Sequence, residues 1–181
     1  MNRTTRGIQR GFTIVELLIV IVVIGILAAI VVVAYNGIQN QAYDTTVKSD
    51  LATVVKKIEL EKVKNEGLYP HPLTVGMELH FSKDAYLTTQ NNVYYCRDPA
   101  QNRYAFSAKS RSGKQYIVVD GVLSEHGSML FGQTTCDLID PNNNPSVTPN
   151  VTWDGNPTTG TGTFGYNTTT SEWQPWTHNS N

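Results

Sequence analysis

The chain has 181 residues, of which 40% are hydrophobic and 16% are charged, so a single modest domain with additional segments is the expected organisation. Its formal net charge of −1 gives no indication of a nucleic-acid or acidic-membrane partner for the chain as a whole. The charge is unevenly distributed, since residues 1–11 contain three arginines and no acid, whereas residues 137–181 contain four acids and no lysine or arginine.

Residues 1–11 have the features of a targeting leader. Arg3, Arg6 and Arg10 stand directly before a hydrophobic segment, and positive charges in that position hold the end of the chain on the cytoplasmic side of a membrane. Residues 1–11 are therefore predicted to serve targeting and to stand apart from the fold.

The next segment is long and apolar. Residues 17–34 are 18 consecutive uncharged, almost wholly apolar residues, and as an α-helix they extend about 27 Å, just enough to cross a bilayer core. We therefore predict that residues 12–35 are the transmembrane half of a longer helix. The alternative is a secretory signal peptide cleaved after Ala34. Against it, the apolar run exceeds a usual h-region of about 7–15 residues, and Glu16 lies within its first turns.

One carboxylate, Glu16, stands at the start of this apolar segment. A carboxylate within a membrane costs about 3 kcal/mol at the bilayer centre and less near the interface, so it generally marks a partner or a function. One interpretation is that Glu16 reaches the headgroups at the helix end. The other is that it pairs with a cation. If the chain is cut after Gly11, the amine of Phe12 lies four residues away, and a neighbouring subunit displaced along the helix axis would present it better.

The order GFTIVELLIVIVVIGILAAI, residues 11–30, resembles the N-terminal motif of type IV pilins and of the pseudopilins of type II secretion and DNA-uptake systems. The match covers about residues 7–36, and this chain has Val33 where many members of that family have proline. The resemblance implies that a prepilin peptidase cuts between Gly11 and Phe12 and that Phe12 is N-methylated. It also implies that Glu16 contacts a neighbour's N-terminus during filament assembly.

Residues 36–66 are predicted to continue the same helix as an amphipathic half. Apolar residues recur at the 3.6-residue period that marks one helix face: Val47, Leu51, Val54, Val55 and Ile58. The other faces carry five acids and five bases, which we interpret as solvated. Gly67, Pro70 and Pro72 are expected to end the helix.

Residues 67–136 are predicted to form the globular domain, and the fold class is α+β, pilin-like, with the long helix packed on a small antiparallel sheet of three to four strands. Segments rich in tyrosine, phenylalanine, valine and isoleucine predict strands at Asn92–Cys96, Arg103–Lys109 and Gln115–Asp120, with a fourth at Met129–Thr134. Residues 67–91 have no clear period and are predicted to be a loop with one short element at most.

Cys96 and Cys136 follow the apolar segment and should lie on the exported side, where a disulfide is permitted. Two free buried thiols are the alternative, which an oxidising compartment disfavours. The resemblance to pilins implies a bond between them, because many pilins close a C-terminal surface loop in this way. This chain departs from that pattern by continuing for 45 residues past Cys136.

The tail, residues 137–181, contains ten threonines, eight asparagines and all three tryptophans. Low charge and abundant turn residues argue against a packed core of its own. Its aromatic side chains are expected to anchor a hairpin on the sheet or to pack on neighbouring subunits, and binding of an external partner such as a glycan is the third alternative. These aromatic residues are Trp153, Phe164, Tyr166, Trp173 and Trp176.

The sequence has no constellation typical of an enzyme, a cofactor site or a metal site. Residues 160–165 spell G-x-G-x-x-G, but no predicted strand precedes them and no helix follows. Residues 140–144 loosely resemble a calcium loop, but Pro145 stands where that loop needs glycine. The basic turn with Lys109, Arg111 and Lys114 is interpreted as a solvated hairpin tip, with DNA contact in an uptake pilus as the alternative.

These observations, with the family resemblance, predict a structural subunit of a type IV pilus-like filament, with no enzymatic activity and no cofactor. Its expected partners are copies of itself, the prepilin peptidase and methyltransferase, and the pilus assembly platform. The subunit is expected in the cytoplasmic membrane with its globular domain outside, and then in a pilus at the cell surface. The alternatives are a minor pilin or pseudopilin of a secretion or DNA-uptake system, and a membrane-anchored surface adhesin that does not polymerise.

Overall fold

The structure, a computed structural model, describes residues 12–70, 73–98, 102–127, 132–139, 163–174 and 177–178. Its helices are α1 (Ile14–Lys64) and α2 (Gly132–Asp137). Its strands are β1 (Leu79–His80), β2 (Asn92–Asp98), β3 (Arg103–Lys109), β4 (Gln115–Val119), β5 (Val122–His126), β6 (Thr163–Asn167), β7 (Glu172–Trp173) and β8 (Thr177–His178). The chain divides into two compact units, one ending at Gln39 and the other beginning at Asn40.

The first unit is the apolar part of α1. Its large apolar side chains are exposed from Ile14 to Ile38, and none of its most apolar 18-residue window is buried within the chain. Among the described residues, α1 is the one helix that is long enough and apolar enough to cross a membrane. Such a surface requires lipid or other protein chains around it.

The second unit contains an antiparallel sheet of six strands in the order β5-β4-β3-β2-β6-β7. The α+β class is confirmed, with more strands than the three to four that were expected. A separate two-stranded parallel sheet pairs β1 with β8. In the middle of the large sheet, Phe106 on β3 lies opposite Tyr95 on β2 and Val118 on β4.

The core lies between α1 and one face of this sheet. The helix contributes Val47, Leu51, Val54 and Ile58, all buried, and Val55 is partly buried against the same cluster, which confirms the predicted apolar stripe. The sheet contributes aromatic rings that contact one another, with ring centroids 4.7 Å apart for Tyr95 and Phe106. Aromatic side chains fill this space because each buries a large area with few rotatable bonds.

Charged side chains of α1 attach it to the segments beside the sheet. Asp44 accepts from the Ser112 hydroxyl, Asp50 from Ser82, Glu59 from the Tyr69 hydroxyl at 3.0 Å, and Lys57 donates to the Glu78 carbonyl. The interpretation of the helix charges as solvated is wrong for these four residues. A periodicity argument recognises the apolar face but not the polar partners that a tertiary fold brings to its flanks.

The opposite face of the sheet carries α2. Cys96 on β2 and Cys136 on α2 are joined by a disulfide and are fully buried together with Ala105. The hydroxyls of Ser107 and Thr135 lie 2.5 Å apart and form a second link between α2 and the sheet. The sheet is therefore covered by a helix on each face.

The strand predicted at Met129–Thr134 is wrong where the structure describes it, because α2 begins at Gly132. Residues 129–131 lie outside the described residues. The fourth strand of the large sheet in chain order is instead β5, which a tight turn at Asp120–Gly121 joins to β4. Both turn residues have positive φ, 48° and 86°, as a two-residue hairpin turn of this kind requires.

The helix ends at Lys64, two residues before the predicted end at Glu66. Gly67 follows with φ of 86°, and its N–H donates to the carbonyl of Lys62 at 2.9 Å, a glycine-dependent way to satisfy the last helical carbonyls. The segment 67–91 contains two 3₁₀ turns, Val75–Met77 and Lys83–Ala85, as well as β1. It is therefore more structured than the predicted loop with one short element.

The tail contributes to the large sheet. Strand β6 pairs with the side of β2 that β3 leaves open, and β7 folds back on β6. Trp173 packs edge-on against Tyr86, with ring centroids 5.7 Å apart, and against Tyr166 at 5.3 Å. For Trp173, the expectation that tail aromatics anchor a hairpin is confirmed, while Trp153 and Trp176 lie outside the described residues.

Candidate assembly site at the start of the apolar helix

The predicted assembly residue, Glu16, lies in the first turn of α1 and bonds to Thr13, which directly precedes the helix. The Thr13 N–H and the Thr13 hydroxyl each donate to Glu16 Oε2 at 2.8 Å. In return, the Glu16 N–H donates to Thr13 Oγ1 at 3.2 Å. This reciprocal arrangement is a capping box, which satisfies backbone donors that have no partner inside a helix.

The capping box gives Glu16 a role within its own chain that the sequence analysis missed. The sequence signal for a capping box is the pattern Thr-x-x-Glu directly before an apolar run. In this chain that pattern lies within the N-terminal motif that resembles the pilins. No described residue donates to the other carboxylate oxygen, Oε1. Among the described residues, Oε1 of Glu16 is thus without a donor while Oε2 caps the helix.

Phe12 stands four residues before Glu16 along the chain and is 88% exposed. Gly11, the residue on the other side of the expected cleavage point, lies outside the described residues, as does the remainder of the leader. Beyond Glu16, the exposed apolar surface continues along the helix, and a Cβ placed on Gly25 would meet no atom within 4 Å. No part of the chain that the structure describes covers this surface.

The basic turn is attached to α1 rather than free. Arg111 lies over the ring of Tyr43 at 5.7 Å, and Lys114 pairs with Glu125 at 3.2 Å. Among the described residues, no three metal-binding side chains come together, and the calcium-like segment 140–144 lies outside them. The glycine-rich segment is described only from residue 163 onward, where it forms β6.

An apolar anchor helix with a capped carboxylate at its start, followed by a helix-covered antiparallel sheet, defines a membrane-anchored subunit of the pilin type. Residues 6–32 match the family described as "Prokaryotic N-terminal methylation motif". The type II secretion system core protein G of Pseudomonas aeruginosa is 30% identical over 115 residues, which are 58% of this chain and 78% of that protein. The chain belongs to the family of type IV pilins and pseudopilins.

Two further relatives illustrate the breadth of this family. The type II secretion system core protein G of Escherichia coli strain K12 is 29% identical over 130 residues, 66% of this chain and 86% of that protein. The type IV major alpha-pilin of Moraxella bovis is 50% identical over 44 residues, 24% of this chain and 28% of that protein. No solved structure matches the chain.

Proposed function

We propose that the chain is a processed filament subunit whose assembly depends on Glu16. A prepilin peptidase cuts between Gly11 and Phe12, the new amine of Phe12 is N-methylated, and residues 12–35 anchor the subunit in the cytoplasmic membrane. The globular domain faces outward, and an assembly platform then transfers the subunit into a filament of its own copies. The match to the methylation motif over residues 6–32 is the observation that carries this proposal.

The role proposed for Glu16 follows from its charge and its two oxygens. A carboxylate among packed apolar helices is costly unless a cation neutralises it. The processed Phe12 amine of a neighbouring copy supplies such a cation, and Oε1 remains available for it while Oε2 caps the helix. Pairing of Glu16 with that amine fixes the axial stagger of two otherwise featureless helices.

Three variants separate the charge of Glu16 from its capping role. Glu16→Gln retains a capping oxygen but loses the charge, Thr13→Ala loses the cap but retains the charge, and Glu16→Ala loses both. We expect Glu16→Gln and Glu16→Ala to abolish sheared surface fibres and Thr13→Ala to retain most of them. The amount of mature subunit in the membrane is the control. Normal fibres from Glu16→Gln, with normal membrane levels, would contradict the pairing role.

Mass spectrometry of the exported protein tests the processing step. We expect an N-terminus of N-methylated Phe12 and no trace of residues 1–11. A start at Tyr35 would identify a cleaved secretory signal peptide instead, and a start at Met1 would identify an uncleaved anchor. The first result means an ordinary secreted protein and the second a membrane-anchored protein that does not polymerise, and either one contradicts the proposal.

A pseudopilin role in secretion is the second candidate. Similarity to the two core G proteins extends over 115 and 130 residues, whereas similarity to the alpha-pilin covers 44. Deletion of the gene that encodes this chain distinguishes the pilus role from the secretion role. Loss of surface pili with normal secretion supports the pilus role, whereas accumulation of exported enzymes inside the envelope with normal pili supports the secretion role.

A further inference from the structure

An open cavity of about 440 Å³ lies at the end of the large sheet, where the turn between β3 and β4 meets the end of β5. Its size is typical of small-molecule sites, which are about 300–1,000 Å³, but its lining is polar rather than apolar. Two glycines and a serine line it, together with five polar or charged residues: Lys109, Lys114, Gln115, Glu125 and His126.

Three of these residues stand side by side across three strands. Lys109 on β3 lies opposite Gln115 on β4, and Gln115 lies opposite His126 on β5. Residues directly opposite one another in antiparallel strands share a face of the sheet, so their side chains form one row. The row is on the face that carries α2, because Ser107, two residues before Lys109, bonds to Thr135 of α2.

The backbone beneath this row is held in place by side-chain and turn hydrogen bonds. The Lys109 N–H donates to Asn92 Oδ1, and Asn92 Nδ2 donates to the Lys109 carbonyl, each at 2.8 Å. The Ser110 N–H closes the next turn by donating to the Lys114 carbonyl at 2.8 Å. Gln115 is only 5% exposed, so its amide lies deep in the cavity. A site that is fixed before its ligand arrives loses less conformational entropy on binding.

The charges of the cavity favour a ligand with a single negative charge. Two lysines against one glutamate leave one positive charge in excess in the lining. Lys114 lies 3.2 Å from the Glu125 carboxylate, so Lys109 is the cation of the row that this pair does not neutralise. Nucleic acid binds through several cations along its phosphates, and the Glu125 carboxylate would repel those phosphates.

The cavity also offers oxygen acceptors beside its donors. The Gln115 amide has both an N–H donor and a carbonyl acceptor, and the Glu125 carboxylate is an acceptor only. Hydroxyl groups both donate and accept hydrogen bonds, so they can use this mixture, whereas a simple anion uses donors alone. The lining is therefore suited to a molecule that carries one carboxylate and several hydroxyl groups.

We propose that this cavity binds a hexuronate, an acidic sugar with one carboxylate on a hydroxylated ring. Lys109 and the Gln115 amide, which are neighbours in the row, donate to the sugar carboxylate, and Glu125 and His126 line the space for the hydroxyl groups. The site belongs to the second unit and takes no part in the pairing proposed for Glu16, so the inference goes beyond the proposed function. Its test requires no filament and does not depend on the assembly experiments.

NMR titration of the full-length chain measures this binding. Micelles of a polyoxyethylene detergent hold the protein, because that headgroup contains neither sugar nor charge. The probes are galacturonate, galactose as the neutral sugar and acetate as the carboxylate alone. We expect galacturonate to shift the amide signals of Gly113 and Gly127, which line the cavity. Its affinity should exceed those of galactose and acetate by about tenfold or more, because only galacturonate engages both the cation and the hydroxyl partners.

Two variants change the cavity in different ways. Lys109→Gln removes the cation of the row and should weaken galacturonate binding about tenfold. Gly127→Leu adds an apolar side chain at the cavity wall, where a Cβ would meet no atom within 4 Å, and should block binding. The matched control is Lys56→Gln, which removes an exposed lysine of α1 outside the cavity lining and should bind normally. Thermal unfolding temperatures equal to that of the unmodified chain establish that the variants are folded.

Four results would overturn the proposal. Equal affinities for galacturonate and galactose would mean that the cation does not select the ligand, and acetate binding as tight as that of galacturonate would identify a simple anion site. Normal galacturonate affinity in both Lys109→Gln and Gly127→Leu, or no shift at Gly113 and Gly127, would place any binding elsewhere. Tighter binding of a DNA duplex, lost in the same two variants, would assign the cavity to nucleic acid.

Discussion

Asp50 on α1 provides the sharpest test of how the helix is held to its globular unit. It accepts hydrogen bonds from the Ser82 N–H at 2.7 Å, the Ser82 hydroxyl at 3.2 Å and the Tyr86 hydroxyl at 3.1 Å. Burial raises the pKa of the Tyr86 hydroxyl well above its usual value, so Tyr86 remains a donor at neutral pH. Burial also raises the pKa of Asp50, despite these hydrogen bonds, so desolvation of the charge outweighs them.

The hydrogen bonds that Asp50 accepts and the desolvation of its charge have different consequences for two substitutions. Asp50→Ala leaves the Ser82 N–H and the Tyr86 hydroxyl without their acceptor, at about 1–3 kcal/mol for each buried group, and so should cost about 2–6 kcal/mol of unfolding free energy. Asp50→Asn retains one acceptor oxygen and removes the buried charge, so its stability at pH 7 should lie within about 1 kcal/mol of the unmodified protein.

The raised pKa also fixes the direction of the pH effect. The folded state holds the Asp50 proton more tightly than the unfolded chain, whose carboxyl has its ordinary pKa of 3.8. Its stabilising contribution is therefore fully present below that value and is lost as the pH rises through the folded-state pKa. Since asparagine does not titrate, Asp50→Asn should gain stability relative to the unmodified protein over the same rise in pH.

Urea unfolding of the full-length chain in detergent micelles, followed by near-ultraviolet circular dichroism between pH 3.5 and 7, measures these differences. Trp173 contacts Tyr86, so the aromatic signal reports on this region. Equal stabilities for Asp50→Ala and the unmodified chain would refute the proposed attachment. Equal losses for Asp50→Asn and Asp50→Ala would refute the desolvation argument.

Three further substitutions test other parts of the fold. Replacing Cys96 and Cys136 by serine removes a crosslink between residues 40 apart and should lower the unfolding free energy by about 4 kcal/mol, measured by urea titration against the oxidised protein. Gly121→Ala forces alanine to φ of 86° and should cost about 1–2 kcal/mol, whereas Gly127→Ala, which meets no atom within 4 Å, should change the thermal unfolding temperature little. Trp173→Ala removes ring contacts with Tyr86 and Tyr166 and should cost about 2 kcal/mol, with faster proteolysis in residues 163–174 than in β3.

Local signals in the sequence predicted much of the second unit. The 3.6-residue period correctly identified Val47, Leu51, Val54 and Ile58 as the buried face of α1. Strand β5 was missed because Asp120 was assigned to the end of the preceding strand, so the Asp120–Gly121 pair was not recognised as the hairpin turn that it forms. Sequence patterns also could not predict that β6 pairs with β2, because neither segment contains a local signal for a partner about 70 residues away.

At the candidate site, too, features with a local sequence signal were predicted and features that depend on a partner residue were missed. Glu16 stands out because a charge at the start of an apolar helix is rare, and Thr13 is overlooked because its role appears only with the partner three residues later. The attachment of α1 through Asp44 and Asp50 depends on turns more than 30 residues away along the chain, a distance at which no periodicity operates.

The position of β6 beside β2 sets an order of folding if the second unit is exported in chain order, behind an amino end that stays at the membrane, as proposed above. Strands β2, β3 and β4 each pair with the next strand along the chain, whereas β6 must return over about 70 residues to reach β2. The β2–β5 sheet can form as soon as residue 126 is outside, with one edge of β2 still open. Until the tail arrives, that edge can accept β6 from a second copy, so the speed of export limits the time during which two newly made subunits can exchange strands.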